Sequence, residues 1–180
     1  MKDFATPQYT TASQIKEART KLGLTQKEFA QYIGSSKPTV ERWEVSEKEI
    51  TGPIALLTRM IIEHPDTFKT YILPEKKLPL RLKYMHHQNL CTLIDVDELH
   101  QVVEITNYTT NVMFRAFGVN VAPSYGDFQE FLESRCFPRT RDKMKLVLED
   151  LNLPFYDPLL IIEKTRGRMA EDDFWIEIVR

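Results

Sequence analysis

The chain contains 180 residues, 42% of them apolar and 28% charged, and its formal net charge is −2. An apolar fraction of this size is sufficient for one large domain or two small ones. A net charge this close to zero does not indicate a nucleic-acid partner, so the charge has to be considered region by region. Residues 1–77 carry +2, from 12 Lys and Arg against 10 Asp and Glu, whereas residues 78–180 carry −4, from 12 against 16.

Membrane and secreted classes are excluded by the absence of their signals. No apolar run approaches the length of a transmembrane helix, and the N-terminal MKDFATPQY lacks the hydrophobic stretch of a signal peptide. Cys91 and Cys136 are the only cysteines, far fewer than a small disulfide-rich scaffold contains. We therefore expect a cytoplasmic protein with reduced thiols and no membrane partner.

The first elements are an arm and a helix. Residues 1–10 are polar and carry no capping signal, which favours a loose arm. A helix is predicted from about Ala12 to Leu22, because Thr11 and Gln14 have the spacing of a capping box and Gly23 follows the last apolar position. Its buried face consists of residues at helical spacing, namely Ile15, Ala18 and Leu22.

Two short helices joined by a tight turn are predicted between Thr25 and Glu44. Thr25 and Glu28 form a second capping-box pattern, so the first of these helices begins near Gln26. Gly34 supplies the left-handed residue that ends it. The second helix is capped by Ser36 and tolerates Pro38 in its first turn.

The second of these helices is amphipathic. Val40 and Trp43 are three residues apart and lie on its buried face. The side chains that remain outside, in its N-terminal half, are Lys37, Pro38, Glu41 and Arg42. This arrangement is typical of a recognition helix, which presents polar side chains to base edges in the major groove.

The run LGLTQKEFAQYIGSSKPTVERWE resembles the helix-turn-helix domain of Cro, the lambdoid phage repressors and antitoxins of that type, known as XRE-like, over about residues 13–66. By that resemblance Gln26 donates to a phosphate, Lys37, Pro38 and Glu41 face bases, and Arg42 reaches a base or the backbone. The complete DNA-binding set that it implies is Gln26, Ser36, Lys37, Pro38, Thr39, Glu41 and Arg42. The resemblance also implies a buried structural ion pair between Arg19 and Glu44.

The segment after Glu44 departs from that family, whose corresponding loop is often basic. Glu47 and Glu49 repel phosphates, and Lys48 is the only cation in the loop. Pro53 starts a further helix whose broad apolar face suits either a core or a dimer seam, with Ile54, Leu57, Met60 and Ile61. Asp66 is expected to cap a short helix that runs to Tyr71, and LPEKKLP is the predicted linker, so the domain boundary is placed at residue 77.

The second domain, residues 78–180, is predicted to be a small α+β fold. Strands are predicted at LRLKYM, NLCTLIDV and QVVEITNY, and the latter two form a hairpin. Helices are expected after Ser124, from about Thr140 and from Pro158. A last strand, 174–179, closes the sheet by pairing with the hairpin. Dimerisation, partner binding and sensing remain open roles for this domain.

Two clusters in the second domain are candidates for chemistry. His86, His87 and Cys91 do not complete a metal-binding pattern. Cys136 lies among Arg135, Arg139 and Arg141, which would lower a thiol pKa. Pairing of these arginines with Glu171, Asp172 and Asp173 is favoured, while an anion site, or a metal site at the acids, remains open. No catalytic pattern, cofactor motif or complete metal set is present, so we expect no enzyme activity, no cofactor and no metal.

These features predict a sequence-specific DNA-binding transcription regulator with a helical N-terminal domain of four to five helices. It is expected to act as a repressor, or as an autoregulating antitoxin, and to bind an inverted-repeat operator in double-stranded DNA as a homodimer. A toxin or another protein would bind through residues 78–180. The alternative is a protein-inhibitor or enzymatic C-terminal domain, with the helix-turn-helix used only for autoregulation.

Overall fold

The computed structural model describes residues 5–180. The chain divides into two compact units, and the boundary falls between Pro74 and Glu75. This boundary lies inside LPEKKLP, the segment predicted to be the linker. We call the two parts the N-terminal unit and the C-terminal unit.

The N-terminal unit is helical, as predicted. Its elements are β1 (Tyr9–Thr10), α1 (Ala12–Lys21), α2 (Gln26–Tyr32), α3 (Lys37–Glu44), β2 (Ile50–Thr51), α4 (Pro53–Glu63) and α5 (Pro65–Lys69). Both predicted capping boxes are present, at the start of α1 and at the start of α2. Each one satisfies backbone amides that have no partner inside the helix.

The core of this unit lies where α1, α2, α3 and α4 meet. Phe29, Ile15, Val40 and Ile61 are fully buried there, and apolar residues from β2 and α4 complete the cluster. The apolar face of α4 differs from the prediction at Met60, which lies exposed, whereas Ile54, Leu57, Ile61 and Ile62 pack in the core.

Two local predictions for this unit were wrong. The loose arm was assigned to residues 1–10, but Tyr9 and Thr10 form an antiparallel ladder with Thr51 and Ile50; residues 1–4 of the arm lie outside the described residues. Asp66 does not cap α5: it lies in the first turn, and His64 occupies the cap position without a side-chain hydrogen bond.

The C-terminal unit contains a four-stranded antiparallel sheet with helices, which confirms the α+β prediction. The strands are β3 (Leu80–His86), β4 (Asn89–Asp97), β5 (Val102–Asn107) and β6 (Phe174–Val179), in the spatial order β5-β4-β3-β6. The final strand joins the sheet, but it pairs with β3 and not with the β4–β5 hairpin. That edge of β3 is the free one, because the other edge of β3 is already occupied by β4.

The helices of this unit are α6 (Tyr125–Ser134), α7 (Met144–Asp150) and α8 (Pro158–Thr165), and a 3-10 turn spans Val112–Phe114. Of these helices, α6 and α8 contribute the buried residues that share one core with the sheet. The prediction that α7 begins near Thr140 was wrong, because Lys143 adopts a left-handed conformation and the helix starts after it. The core contains Leu82 and Ile94 from the sheet and Phe128 and Ile161 from the helices. Among residues 5–180, no helix is both long enough and apolar enough to cross a membrane.

Candidate nucleic-acid interface

The turn between α2 and α3 fixes how the two helices are joined. Gly34 has a φ of +67° and the amide of Ser35 donates to the carbonyl oxygen of Ala30 at 2.8 Å. A Cβ atom at Gly34 would meet no atom within 4 Å, so the left-handed backbone, and not crowding, is the reason for glycine here. Only four residues, 33–36, therefore separate the end of α2 from the start of α3.

One face of α3 anchors it to the core. Val40 is fully buried, and Trp43 is half-buried against the same cluster. Ser36 caps the helix by accepting from the amide of Thr39, and Pro38 occupies the first turn, where no intrahelical donor is required. The opposite face is thereby held toward solvent.

That outward face carries the predicted base-reading residues. Lys37, Pro38 and Arg42 are exposed. The Nζ of Lys37 lies 2.9 Å from Oε1 of Glu41, so these two side chains form an ion pair one helical turn apart. The hydroxyl groups of Ser36 and Thr39 are 2.8 Å apart and are hydrogen-bonded to each other at the cap.

Arg42 differs from Lys37, which is paired with Glu41. Within residues 5–180 its guanidinium forms no ion pair with a carboxylate. Its donors are therefore free to contact a phosphate or a guanine without first breaking an internal interaction.

A polar network connects the start of α2 to the end of α3. Arg19 donates to Glu44 through two bonds, from Nε to Oε1 at 2.6 Å and from a terminal nitrogen to Oε2 at 3.1 Å. Gln26 Nε2 donates to the same Oε2 at 2.8 Å. The side chains of Arg19 and Glu44 are only 17% and 5% exposed. Gln26 is thus held at the helix start, with its second amide hydrogen left for another acceptor such as a phosphate oxygen.

The ionisation of Glu44 follows from this network. Burial by itself raises the pKa of Glu44, but the hydrogen bonds from Arg19 and Gln26 outweigh burial and hold the pKa below its ordinary value. Glu44 is therefore an anion at neutral pH and remains the acceptor for both donors.

The surroundings of α3 include charges of both signs. Glu47, Lys48 and Glu49 are exposed in the loop after α3, where Ser46 caps a local turn. The sequence did not single out Lys27, which is exposed in the first turn of α2 beside Gln26. A lysine next to a helix N-terminus is a common phosphate contact. The position of Lys27 beside Gln26 could therefore have identified it from the sequence as a candidate for DNA binding.

The arginine cluster of the C-terminal unit is separated by the structure into two kinds of contact. Arg135 is buried and donates to both carboxylate oxygens of Asp172, at 2.7 and 3.0 Å, and to the carbonyl oxygen of Gly167. Arg139 pairs with Glu133 at 2.8 Å, so the predicted partners are wrong for Arg139 and right for Arg135.

The prediction of an acidic thiol at Cys136 was wrong. Burial raises the pKa of Cys136 to about 12, and the neighbouring arginines only partly offset this rise. The thiol lies 3.5 Å from the carbonyl oxygen of Pro158. A buried, protonated thiol is not a nucleophile at neutral pH.

The segment that contains this geometry matches known proteins. The helix-turn-helix family model matches residues 15–57, which run from within α1 to the middle of α4. Residues 15–57 form a helix-turn-helix domain of the Cro and C1 type. Such a domain binds DNA, and we expect the exposed face of α3 to be its recognition surface.

One curated relative is similar over a short segment. The type II methyltransferase M.SsoII of Shigella sonnei is 44% identical over 59 residues, which are 31% of this chain. The matched segment is only 15% of the methyltransferase, so the methyltransferase activity is not transferred to this chain. No solved structure matches the chain.

Proposed function

We propose that this protein is a transcriptional repressor that binds an inverted-repeat operator as a homodimer. The observation that carries the proposal is the outward face of α3, where Lys37, Glu41 and Arg42 extend from a helix anchored by Val40. Two such helices related by a two-fold axis occupy successive major grooves about 34 Å apart, and the bound dimer blocks a promoter.

The homodimer is supported by an apolar surface on α4. Leu56 and Met60 are one helical turn apart, and they are 57% and 43% exposed. Exposed apolar side chains on one helix face are typical of a protein interface, and a two-fold axis brings the same face of both copies together.

The proposal assigns binding, and not catalysis, to the C-terminal unit. Cys136 was the most reactive side chain among the candidates in the sequence, and its high pKa argues against a role as a nucleophile. The net charge of −4 in residues 78–180 disfavours DNA and suits a basic protein partner. Exposed apolar residues in the 3-10 turn and in the segment between it and α6 support a protein contact: Met113, Val119 and Val121. A toxin is the partner class that would make the protein an autoregulating antitoxin.

Selection from a random duplex pool tests the proposal. The full-length protein should enrich an inverted repeat whose half-sites are about 10 base pairs apart, or a multiple of that spacing. One dimer should bind each enriched duplex, which light scattering of the complex measures. Failure to enrich any sequence, or enrichment of a single unrepeated site bound by a monomer, would contradict the proposal.

A further inference from the structure

The turn between β3 and β4 brings two adjacent histidines onto one side of the chain. Successive residues of a regular strand point to opposite faces of a sheet, so His86 and His87 would be separated in an extended conformation. His87 instead has a φ of 50°, and the two imidazole rings have centroids 4.4 Å apart. The left-handed turn residue is therefore what places both rings together.

The start of β6 brings a carboxylate to the same place. His87 donates its amide to the carbonyl oxygen of Asp173 at 3.2 Å, and the indole of Trp175 donates to the carbonyl oxygen of His87 at 2.7 Å. These bonds tie the β3–β4 turn to the beginning of β6. The Nε2 of His87 and Oδ2 of Asp173 are 3.5 Å apart.

The surrounding side chains hold two of the three groups in position. The ring of His86 stacks on Phe114, with centroids 4.5 Å apart, and also contacts Phe174. The chain just before Asp173 is fixed because Asp172 accepts from the buried Arg135 and from the amide of Phe174. A site whose ligands are supported by neighbouring contacts loses less entropy when an ion binds.

The donor atoms of His86, His87 and Asp173 all lie within 4.8 Å of one another. We propose that these three residues bind one divalent transition-metal ion, of the class that includes Zn²⁺, Co²⁺ and Ni²⁺, through two imidazole nitrogens and one carboxylate oxygen. Imidazole nitrogens bind these ions in preference to Mg²⁺ and Ca²⁺, which favour oxygen ligands.

The separations fit a metal site after a small adjustment. Donors around a tetrahedral zinc ion with bonds of about 2.0–2.1 Å lie about 3.4 Å apart, close to the existing separation of His87 and Asp173. The side chains of His87 and Asp173 are 59% and 67% exposed, so rotation about their side-chain bonds brings the set together without moving the backbone. Water completes the coordination.

Cys91 is not part of the group, although the sequence placed it beside the histidines. It is buried, and its sulfur contacts the carbonyl oxygen of Asn89 at 3.7 Å. Asp173 replaces it, from a segment more than 80 residues further along the chain. In the sequence the histidines and the acids formed two incomplete sets, and the sheet combines them into one.

The same unit offers a matched control. His100 Nδ1 lies 2.7 Å from Oδ2 of Asp97, and this pair is not one of the three-donor groups found among residues 5–180. One exposed imidazole with one carboxylate binds such ions more weakly than a three-donor site. His100→Gln therefore removes an exposed histidine and keeps the proposed site.

The test uses untagged full-length protein that has been dialysed against a chelator. Calorimetric titration with Zn²⁺ should give one ion per chain, and Co²⁺ should produce a visible absorption band. His87→Asn, which tolerates the left-handed conformation, and Asp173→Asn should each weaken binding about tenfold or more, whereas His100→Gln should bind like the wild type. The melting temperature of each metal-free variant shows whether it is folded.

Two results would overturn the site. The first is the absence of saturable Zn²⁺ binding by the wild-type protein. The second is wild-type affinity in folded His87→Asn and Asp173→Asn, which would assign any bound ion to another location.

Discussion

At the scale of single residues, Glu44 holds the helix-turn-helix together. It accepts hydrogen bonds from Arg19 on α1 and Gln26 on α2, while itself ending α3. Three helices thus share one almost fully buried carboxylate. Loss of the carboxylate leaves the guanidinium of Arg19 without its charged partner in a mostly buried position.

Removing one partner of a buried ion pair lowers the free energy of unfolding by about 3–5 kcal/mol. We expect the loss in Glu44→Ala to lie at the lower end of this range. Denaturant unfolding followed by circular dichroism measures the change. The matched control is Glu17→Ala, which breaks the exposed Glu17–Lys21 pair on α1 and should cost about 0.3–0.5 kcal/mol. Equal effects of the two substitutions would show that the Arg19–Glu44 pair contributes no more than a surface pair.

The Arg135–Asp172 pair predicts the direction of a pH dependence. The hydrogen bond from Arg135 is the main cause that lowers the pKa of Asp172 below its ordinary value. A carboxylate with a lowered pKa in the folded state stabilises the protein fully above its unfolded pKa of about 3.9 and loses that contribution as the pH falls through the folded value.

The free energy of unfolding of the wild type should therefore fall on acidification from about pH 5 to pH 3, and more steeply than that of Asp172→Asn. Asp97→Asn is not a suitable control, since the pKa of Asp97 is also lowered, by His100. Asp142→Asn is suitable, because within residues 5–180 Asp142 forms no ion pair and is exposed. Parallel pH profiles for the wild type and Asp172→Asn would contradict the prediction.

At the scale of elements, α3 and α2 are expected to have different tasks on DNA. We expect the outward side chains of α3 to reach base edges, and Gln26, at the start of α2, to contact a phosphate of the DNA backbone. A base-edge contact discriminates between sequences, and a phosphate contact only positions the protein.

Lys37→Ala and Glu41→Ala should each change the base preferred at one position of the half-site, by about 1–3 kcal/mol of discrimination. Breaking the Lys37–Glu41 pair also frees the remaining partner, so the two consensus sequences should differ from each other as well as from that of the wild type. Selection from a random duplex pool measures all three. An identical consensus for all three proteins would show that α3 is not the reader.

Gln26→Ala is the comparison within the same domain. It should weaken binding evenly across sequences, because a lost phosphate contact carries no sequence information. A shift of the consensus by Gln26→Ala would assign base reading to α2.

At the scale of the whole molecule, DNA binding should belong to the N-terminal unit alone. The C-terminal unit is acidic, and Arg139, part of its basic cluster, already pairs with Glu133. A cation that is neutralised internally releases no counterion when DNA binds.

Arg139→Ala should leave the slope of log affinity against log salt unchanged when the full-length protein is titrated on one operator. Arg42→Ala, on α3, should weaken binding to the same operator at every salt concentration. A slope reduced by about one unit in Arg139→Ala would mean that Arg139 contacts a phosphate, and would make the C-terminal unit a clamp on flanking DNA.

The sequence by itself determined the features that depend on neighbouring residues. Thr11 with Gln14 and Thr25 with Glu28 were predicted as capping boxes because each pair lies within a single turn of its helix. Gly34 was predicted as a left-handed residue because it directly follows the last apolar position of the predicted helix, which is also a local pattern. The outward face of α3 could likewise be predicted from the sequence, since it follows from the local alternation of buried and exposed positions.

The tertiary structure alone decided the contacts between distant segments. The pairing of Tyr9–Thr10 with β2 and of β6 with β3, and the buried Arg81–Asp95 ion pair, depend on which strand edge is free and which charges face each other across the sheet. The same is true of Asp173, which meets the histidines only because β6 lies beside β3. Local patterns specify an element and its exposed face, but the partner of that face is set by packing free energy summed over the whole unit.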